Sequence, residues 1–436
     1  MSGIIGIFAF DELWKVSRFV YYGLLALQHR GQETAGIAIG NNERINVYKG
    51  KGMVDQIYND AVLEDLLGWY GIGYVGASTN DCQPALVRDN NLEIALVLSG
   101  KIFNENEIAN ALNIARWNSS ADLLAKALTK ELKQNDLIEA ATELMRMIKG
   151  GYAFIAINNQ GEMIVARDAT GVKPLVVGSF GFDYGVFASE SCVLDVIGAD
   201  LKADVNPGEI YYVNQFTVER RQIMDPNPKF CVFEYVYMAR PDSCINGIWI
   251  HEVRKKIGEI LAERFNIKAD LVTGIPDTAI PFALSFSNKS KIPVEIGFVA
   301  TGRKTRTAIK PTQFERLVGV QLKLNPIKPV FRGKKVIIID DSAVRGTTTK
   351  NTVALLRNRI GAREIHVLIG SPRLVARCPY GIEVPSEDEL IAVHLTDEEV
   401  AKVVGADSFH WLSLEDFIKA VGIPREKLCL KCFGGE

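Results

Sequence analysis

The pattern of apolar and polar positions divides the chain into two parts. The first part, residues 1–226, contains many short apolar stretches, such as Gly3–Phe10 and Ile94–Ser99, which predict strands. Helical periodicity is clearest in Ser119–Lys133, which predicts a helix with one buried face formed by Leu123, Leu124, Ala127, Leu128 and Leu132. Many short strands with few intervening helices predict antiparallel sheets with helices packed outside them.

The second part begins after Asp225-Pro226-Asn227-Pro228 and shows a different order of predicted strands and helices. Two prolines within three residues interrupt regular structure, so this segment predicts a domain boundary between residues 1–226 and 227–436. Continuous apolar strands such as Asp270–Gly274 and Lys335–Ile339 then alternate with helices such as Trp249–Phe265, Asp277–Phe286 and Thr347–Ile360. Strands without polar alternation, separated by helices, predict a parallel sheet that is covered on both faces.

Composition and charge narrow the class of protein. The chain has 436 residues, 47% of them hydrophobic, and 50 Lys and Arg against 52 Asp and Glu give a net charge of −2. This is the composition of a globular protein. The chain has no basic block, so we expect no nucleic-acid partner. It has neither a signal-like N-terminal segment nor an apolar run near the ~20 residues of a membrane span. We therefore expect a cytoplasmic protein that does not enter membranes.

The segment after the strand Val336–Ile339 predicts a phosphate and sugar site. The strand delivers the adjacent carboxylates of Asp340 and Asp341 to the ligand-binding edge of a parallel sheet. Gly346 then turns the chain, and three threonines from Thr347 open a helix whose N–H groups suit a phosphate. Carboxylates suit a sugar diol or a hydrated Mg²⁺ ion instead. The alternative is a simple loop start with Thr347 as a helix cap.

The same segment resembles the phosphoribosylpyrophosphate (PRPP) motif of type I phosphoribosyltransferases, and Gly274–Thr278 resembles their pyrophosphate loop. Arg306-Thr307 and Lys323–Asn325 resemble parts of the flexible loop that closes over PRPP. The resemblance implies that Mg²⁺ is held by Thr278, Asp340 and Asp341. It implies that PRPP is bound by Asp277, Thr278, Arg306, Asp340, Asp341, Ser342, Val344, Arg345, Gly346, Thr347 and Thr348.

The first part resembles a class II glutamine amidotransferase domain. The motifs that carry this resemblance are Gln28–Gln32, Arg167-Asp168, Lys173–Leu175, Ala188–Glu190 and Pro207–Glu209. Together with Phe233–Tyr237 and Ala239–Ser243, they resemble the glutamine PRPP amidotransferase family over essentially the whole chain. The family implies an α+β N-terminal-nucleophile-type αββα domain followed by an α/β type I phosphoribosyltransferase domain with a parallel sheet. It also implies the first step of purine synthesis, purine nucleotide effectors and an oligomer.

The chain has seven cysteines, and only Cys429-Leu-Lys-Cys432 has a spacing typical of a metal or redox pair. An odd number of cysteines without a secretory signal argues against a disulfide framework. The family resemblance places Cys231, Cys378, Cys429 and Cys432 at the four ligand positions of a 4Fe-4S cluster in its iron-sulfur branch. A zinc ion bound by the same cysteines is the alternative.

The chain departs from the family at the positions expected to cleave glutamine. Ser2 stands at the position of the nucleophilic cysteine, and Gly76 replaces the arginine that binds the substrate carboxylate. Ser99 replaces the oxyanion-hole asparagine, and Ser120 replaces the aspartate that binds the substrate amine. Loss of one oxyanion donor typically costs ~10²–10³ in rate. We therefore expect an inactive glutaminase half, although an engineered Ser2 in an ordinary enzyme is an alternative.

Three functions remain open from the sequence. The first is a transferase that forms 5-phosphoribosylamine and pyrophosphate from PRPP and ammonia, with ammonia from solution or from a paralogous partner. The second is a non-catalytic or regulatory subunit that pairs with a competent paralog. The third is an ordinary glutamine-dependent enzyme. The segment Ala300–Arg303 also replaces the family's Lys-Asn-Arg-Tyr, which removes a cation and an aromatic ring near PRPP. Loop closure and coupling to an ammonia channel therefore stay open.

Overall fold

A computed structural model describes residues 1–300 and 324–435. In that part of the chain, no helix is long and apolar enough to cross a membrane. The strands of the first part are β1 (Ser2–Ala9), β2 (Thr34–Gly40), β3 (Ile45–Lys51), β4 (Tyr70–Gly76), β5 (Ala85–Asp89), β6 (Leu92–Ile102), β7 (Gly150–Asn158), β8 (Glu162–Arg167), β9 (Val176–Phe180), β10 (Tyr184–Ala188), β11 (Asp200–Asp204), β12 (Glu209–Asn214) and β13 (Thr217–Gln222).

The helices of the first part cover the outer faces of its sheets. They are α1 (Ser17–Ala26), α2 (Val54–Ile57), α3 (Asp60–Asp65), α4 (Glu105–Ala111), α5 (Ser120–Glu131), α6 (Leu137–Met147) and α7 (Cys192–Ile197). Helix α5 confirms the predicted amphipathic segment, because Leu123, Leu124 and Leu128 are fully buried. The side chain of Ser119 caps this helix by accepting a hydrogen bond from the backbone N–H of Asp122.

Two antiparallel sheets face each other in the first part. Within the described residues, one has the strand order β11-β9-β10-β1-β4-β2-β3 and the other the order β13-β12-β8-β7-β6-β5. Strands β1 and β4 of the first sheet contact β6 of the second. Helix α1 packs on β1 and β4, whereas α5 and α6 pack on β6 and β8. This layer order confirms the predicted αββα domain and places the N-terminal strand β1 at the centre of a sheet.

The second part is built around a parallel sheet. Its strands are β14 (Phe230–Cys231), β15 (Cys244–Ile245), β16 (Ile248–Trp249), β17 (Leu271–Gly274), β18 (Phe298–Ala300), β19 (Leu324–Pro326), β20 (Lys335–Asp340), β21 (Glu364–Ile369), β22 (Ser408–Trp411) and β23 (Leu428–Cys429). Its helices are α8 (Ile250–Arg264), α9 (Ile280–Ser290), α10 (Lys328–Phe331), α11 (Thr347–Leu355), α12 (Ile391–His394), α13 (Asp397–Val404) and α14 (Leu414–Val421).

Strands β17, β20, β21 and β22 lie side by side and are all parallel. Alternate residues of β20 enter different cores. Ile337 and Ile339 pack with the apolar residues of α8 and α9. Val336 and Ile338 pack on the other face of the sheet, with apolar residues of α11 and of the segment that follows it. Burial on both faces explains the uninterrupted apolar strands and confirms the predicted parallel sheet.

Two predicted helices differ from the structure at their ends. The helix predicted from Asp277 begins at Ile280, because residues 275–279 first form a turn in which the N–H of Ala279 donates to the carbonyl oxygen of Ile275. The helix predicted through Ile360 changes after Leu355 into one π turn and ends at Gly361, which has a φ of 83°. The predicted boundary at residues 226 and 227 falls between β13 and β14 and stays a prediction.

Candidate functional site

The acid pair and the phosphate loop lie at the carboxyl end of β20. Asp340 ends this strand, and its carbonyl oxygen accepts a hydrogen bond of 2.8 Å from the N–H of Gly370 beyond β21. Gly346 adopts a φ of 68° and caps α11, so Thr347 and Thr348 form the first turn of that helix. Asp340 and Thr348 line one small cavity together with Ile275. The loop therefore brings carboxylates and a helix N-terminus together, as the sequence predicts.

Electrostatics around the acid pair favour a cation. Burial, followed by the charge of Asp341, raises the pKa of Asp340 well above its usual range. Burial also raises the pKa of Asp341, although hydrogen bonds from Ser342 and Thr278 and the charge of Arg254 oppose this effect. The Ser342 hydroxyl donates to Asp341 Oδ1 at 2.7 Å. Two adjacent carboxylates that repel each other in a buried site suit a divalent cation, and Thr278 lies beside them.

Two residues near the acid pair have no role in the sequence-based prediction. Burial, followed by the charges of Asp341 and Asp340, raises the pKa of Tyr237 to about 12. Arg254 is 1% exposed, and its guanidinium donates to the carbonyl oxygens of Tyr235, Tyr237 and Ala239. Burial lowers the pKa of Arg254 to about 10, and the charge of Asp341 opposes that shift. Tyr237 lies in a motif that the sequence already identifies. Arg254 gives no such signal, because it precedes Lys255 and Lys256 and resembles an ordinary exposed cation of a helix.

The other predicted PRPP residues are placed in different ways. Arg345 is paired with Glu389, and its Nε donates to Glu389 Oε2 at 2.7 Å. The carbonyl oxygen of Val344 accepts a hydrogen bond from the N–H of Ile391. Asp277 lies in the turn before α9, and its peptide bond with Pro276 is cis. Arg306 lies outside the described residues.

Ser2 lies buried at the start of β1, 9% exposed. Its hydroxyl donates a hydrogen bond of 3.0 Å to Ser99 Oγ, so the two serines that replace expected catalytic groups contact each other. The α-amine of Met1 donates to the carbonyl oxygen of Gly381 at 3.1 Å. Burial, followed by the charge of Lys173, lowers the pKa of this amine. The Met1 amine is therefore more readily deprotonated than an exposed α-amine.

The space beside Gly76 is occupied by Tyr74. Gly76 pairs with Ser2 across β4 and β1, and Tyr74 lies two residues earlier on the same face of the strand. A Cβ atom added to Gly76 would lie only 2.4 Å from the Tyr74 hydroxyl oxygen. Tyr74 is 2% exposed, and its hydroxyl donates to Asp81 Oδ2 at 3.2 Å. Gly76 thus lacks a side chain, and its neighbourhood also cannot accept one unless Tyr74 moves.

Ser120 lies at the first turn of α5. Its hydroxyl donates a hydrogen bond of 2.5 Å to Glu105 Oε1, and the indole N–H of Trp117 donates to Glu105 Oε2 at 2.9 Å. Both oxygens of the Glu105 carboxylate therefore already have protein partners. The hydroxyl of Ser120 thus connects α5 to α4, the helix that contains Glu105.

A buried ion network joins the two parts of the chain. Arg30 is 1% exposed; its Nε donates to the carbonyl oxygen of Ser2, and its Nη atoms donate to Glu190 and to both oxygens of Glu234. Burial alone would raise the pKa of Glu190, but the charges of His29 and Arg30 hold it well below its usual range. Glu234 belongs to the motif that contains Tyr237. The network thus extends from the backbone of Ser2 to the turn beside the acid pair.

The four cysteines that the family resemblance singles out are brought together. Cys231 and Cys429 are direct partners in the parallel pair β14 and β23, and the carbonyl oxygen of Cys432 accepts a hydrogen bond from Val375 N–H. Burial raises the pKa of Cys231 well above its usual value, and the charges of Cys429, Cys378 and Cys432 add to this effect. Among residues 1–300 and 324–435, no three His, Cys, Asp or Glu side chains are placed to hold a metal ion.

Comparisons with known proteins agree with this architecture. A family profile described as a glutamine amidotransferase domain matches residues 74–195, and one described as a phosphoribosyl transferase domain matches residues 246–373. A solved structure described as the allosteric regulatory enzyme of purine biosynthesis has a TM-score of 0.91 and 36% identity, covering 100% of this chain and 95% of that one. The fold and sites therefore define an enzyme of the phosphoribosyltransferase type that carries a glutamine amidotransferase domain.

Full-length relatives identify the family. The amidophosphoribosyltransferase of Methanocaldococcus jannaschii is 38% identical, with 100% of this chain and 97% of the relative covered. That of Bacillus subtilis is 37% identical, with 100% and 93% covered. A structure of glutamine PRPP amidotransferase from B. subtilis complexed with ADP and GMP has a TM-score of 0.91, 37% identity, and 100% and 96% coverage. The chain belongs to the amidophosphoribosyltransferase family of purine biosynthesis.

Proposed function

We propose that this chain forms 5-phosphoribosylamine and pyrophosphate from PRPP and ammonia, and that its own glutaminase half is inactive. The ammonia comes from solution or from a partner subunit. The observation that carries the proposal is the contrast between the two sites. The acid pair, Thr278 and the phosphate loop are assembled, whereas Tyr74 occupies the space beside Gly76 at the glutaminase site.

The transferase residues have distinct tasks in this reaction. The N-terminal turn of α11 binds a phosphate through backbone N–H groups and the helix dipole. Asp340 and Asp341 would hold the ribose hydroxyls and Mg²⁺, and Mg²⁺ when bound would neutralise charge on the departing pyrophosphate. Tyr237 lies within electrostatic reach of both carboxylates of the acid pair: burial, followed by their charges, raises its pKa.

The Ser2 site has lost groups that position a substrate as well as its thiol. Amide cleavage requires the amide within reach of the nucleophile and donors aimed at the developing oxyanion. Ser99 forms a hydrogen bond with Ser2, and Ser120 is bonded to Glu105. With Tyr74 over Gly76, no cation at that position reaches the substrate carboxylate.

An assay of PRPP consumption with two nitrogen donors tests the proposal. Purified protein with Mg²⁺ is expected to release pyrophosphate when ammonium is added at pH 8, and to show only background release with glutamine. Release with glutamine alone would contradict the inactive glutaminase. If PRPP binds but no pyrophosphate is released with either ammonium or glutamine, the result would favour the non-catalytic regulatory subunit.

Replacing Ser2 by cysteine is expected to leave glutamate release from glutamine near background. The thiol supplies a nucleophile, but misplacement of a substrate by ~1 Å can already cost ~10²-fold in rate. Protein from which Met1 has been removed, verified by mass spectrometry, is assayed with PRPP and Mg²⁺ present. The exposed Ser78→Cys variant serves as a control for a new surface thiol. Hydrolysis at ~1 s⁻¹ or faster in Ser2→Cys would show that Ser2 was the only lesion.

The grouping of the four cysteines supports a 4Fe-4S cluster as part of the proposal. Cys231, Cys378, Cys429 and Cys432 lie within electrostatic reach of one another. A single zinc ion needs its four ligands to converge on one point, about 2.3 Å from each sulfur. In a cluster each thiolate binds a different iron. The match of these four positions to the ligand positions of the family's iron-sulfur branch favours the cluster over zinc, and the cluster would join β14, the loop that contains Cys378, and β23.

Protein purified without oxygen is expected to carry about four irons per chain. Iron and acid-labile sulfide are measured in the wild-type protein and in Cys432→Ser, which removes a buried thiol of this group. Cys82→Ser is the matched control, because Cys82 lies in the first part of the chain and outside this group. Stoichiometric zinc with negligible iron would contradict the cluster, and equal iron in both variants would contradict the ligand set.

Nucleotide effectors and assembly also belong to the proposal. The B. subtilis relative was solved with ADP and GMP, which supports purine nucleotides as effectors of this chain. A homo-oligomer, or an assembly with a paralog that retains its glutaminase, would be consistent with a subunit that receives ammonia from elsewhere.

A further inference from the structure

We infer that residues 389–391 act as a fixed clamp that holds the phosphate loop in its PRPP-binding shape, with Glu389 as a positioning residue that acts through Arg345. This inference rests on the proposed PRPP-dependent function. It assigns Arg345 to the shape of the loop, whereas the sequence resemblance assigns that residue to PRPP itself.

The clamp contacts the loop on both sides of Arg345. The N–H of Ile391 donates a hydrogen bond of 2.9 Å to the carbonyl oxygen of Val344. A Cβ added to Gly346 would lie 2.7 Å from Ile391 Cδ1, so the isoleucine side chain rests directly on this glycine. Gly346 needs its left-handed conformation to start α11, and Ile391 packs where any larger residue would project.

Glu389 engages the Arg345 guanidinium through two donors. Arg345 Nε and Nη2 lie 2.7 Å and 2.6 Å from Glu389 Oε2. The two side chains are 56% and 43% exposed. An exposed ion pair contributes little to global stability. Its effect is therefore local, because it directs the Arg345 side chain away from the loop and towards the clamp.

The clamp is fixed to the parallel sheet at its other end. Leu390 is fully buried in the core. Arg373, which follows β21, donates to the carbonyl oxygens of Ala392 and Leu395 at 3.0 Å and 2.8 Å. The same guanidinium lies 4.4 Å from the ring centroid of Trp411 in β22. The phosphate loop is thus tied to two neighbouring strands through a short anchored segment.

Such a tie changes substrate binding more than catalysis. A loop whose N–H groups already point at the phosphate position does not lose conformational freedom when PRPP binds. Without the clamp, PRPP binding would itself have to order the loop, and this cost would weaken the binding of PRPP. Once PRPP is bound, the loop has the same shape in both cases, so the rate at saturation is little affected.

The test is a double-mutant cycle with Glu389→Ala, Arg345→Met and the double variant, alongside Glu387→Ala. Glu387 is an exposed acid two residues before Glu389 and outside the clamp, so it controls for lost surface charge. The Kd for Mg²⁺-PRPP is measured by calorimetry, and KM and kcat are measured with ammonium. We expect each single variant and the double variant to raise Kd and KM by about 2- to 5-fold, the range that loss of an exposed ion pair allows, with kcat within about 2-fold of wild type.

The outcomes distinguish a failure of the proposed function from a failure of the clamp. Wild-type protein that does not bind PRPP contradicts the proposed function. Wild-type binding with an unchanged Kd in Glu389→Ala overturns the clamp. Additive effects in the double variant also overturn it, because they mean that Arg345 contacts PRPP independently of Glu389. Hydrogen exchange of the amides in residues 342–347 should accelerate in Glu389→Ala and not in Glu387→Ala; equal rates in the two variants would contradict the positioning role.

Discussion

Replacing both Asp340 and Asp341 by asparagine is expected to raise the Kd for Mg²⁺-PRPP by about 10²–10⁴-fold. Each charge-assisted contact contributes about 1.5–3 kcal/mol, and two are removed together. Because burial and mutual repulsion raise the pKa of Asp340, neutral side chains should also make the folded protein at least as stable as wild type. Calorimetric titration measures binding, and thermal unfolding without ligand measures stability.

The control for this variant is Asp11→Asn/Glu12→Gln, another adjacent acid pair, which is exposed in the first part of the chain. It should bind PRPP as the wild type does. Unchanged affinity in the Asp340/Asp341 variant would mean that these residues only begin a loop. A large loss of stability in the same variant would mean that the carboxylates hold the fold and that their repulsion is compensated.

Replacing Arg30 by methionine is expected to lower the free energy of unfolding by about 3–5 kcal/mol. Removal of one partner of a buried ion pair leaves an uncompensated charge, and here Glu190 and Glu234 both lose their guanidinium. The side chains of Glu190 and Glu234 are 0% and 3% exposed, so water cannot replace it. Chemical denaturation monitored by tryptophan fluorescence measures the change.

Arg18→Met is the matched control, because Arg18 also pairs with two carboxylates, those of Asp60 and Glu64. The Arg18 side chain is 44% exposed, and its loss should lower the free energy of unfolding far less than loss of Arg30. Equal effects of the two substitutions would show that burial of the Arg30 network does not determine its contribution.

The fold could be predicted from the sequence because its signals are local and repeated. Uninterrupted apolar strands such as β20 require burial on both faces, and a one-sided pattern such as that of α5 requires a sheet to cover it. The acid pair and Gly346 were also predictable, since strand, carboxylates, glycine and threonines follow one another in a fixed order. The predicted ends of helices were less accurate. The start of α9, for example, is displaced by a turn that depends on a single backbone hydrogen bond.

The contacts of the sites were not predictable to the same degree, because they join distant residues. Tyr74 is an ordinary strand residue in sequence, and only the structure shows that its ring covers Gly76. Arg254 resembles its lysine neighbours, yet it is buried against three carbonyl oxygens. Glu389 is one of several acids near residue 388, and its pairing with Arg345 depends on where the anchored segment returns to the sheet.

The Arg30 network has a consequence for how this chain could change over evolutionary time. Arg30 contacts the carbonyl oxygen of Ser2 and the carboxylate of Glu190 within the first part, and it also pairs with the carboxylate of Glu234 in the second part. Under the proposed function, glutamine cleavage has been lost while this network is intact, whereas deletion of the first part would leave Glu234 buried without its cation. A half that has lost its chemistry would therefore still be retained by selection, as an internal scaffold for its catalytic neighbour.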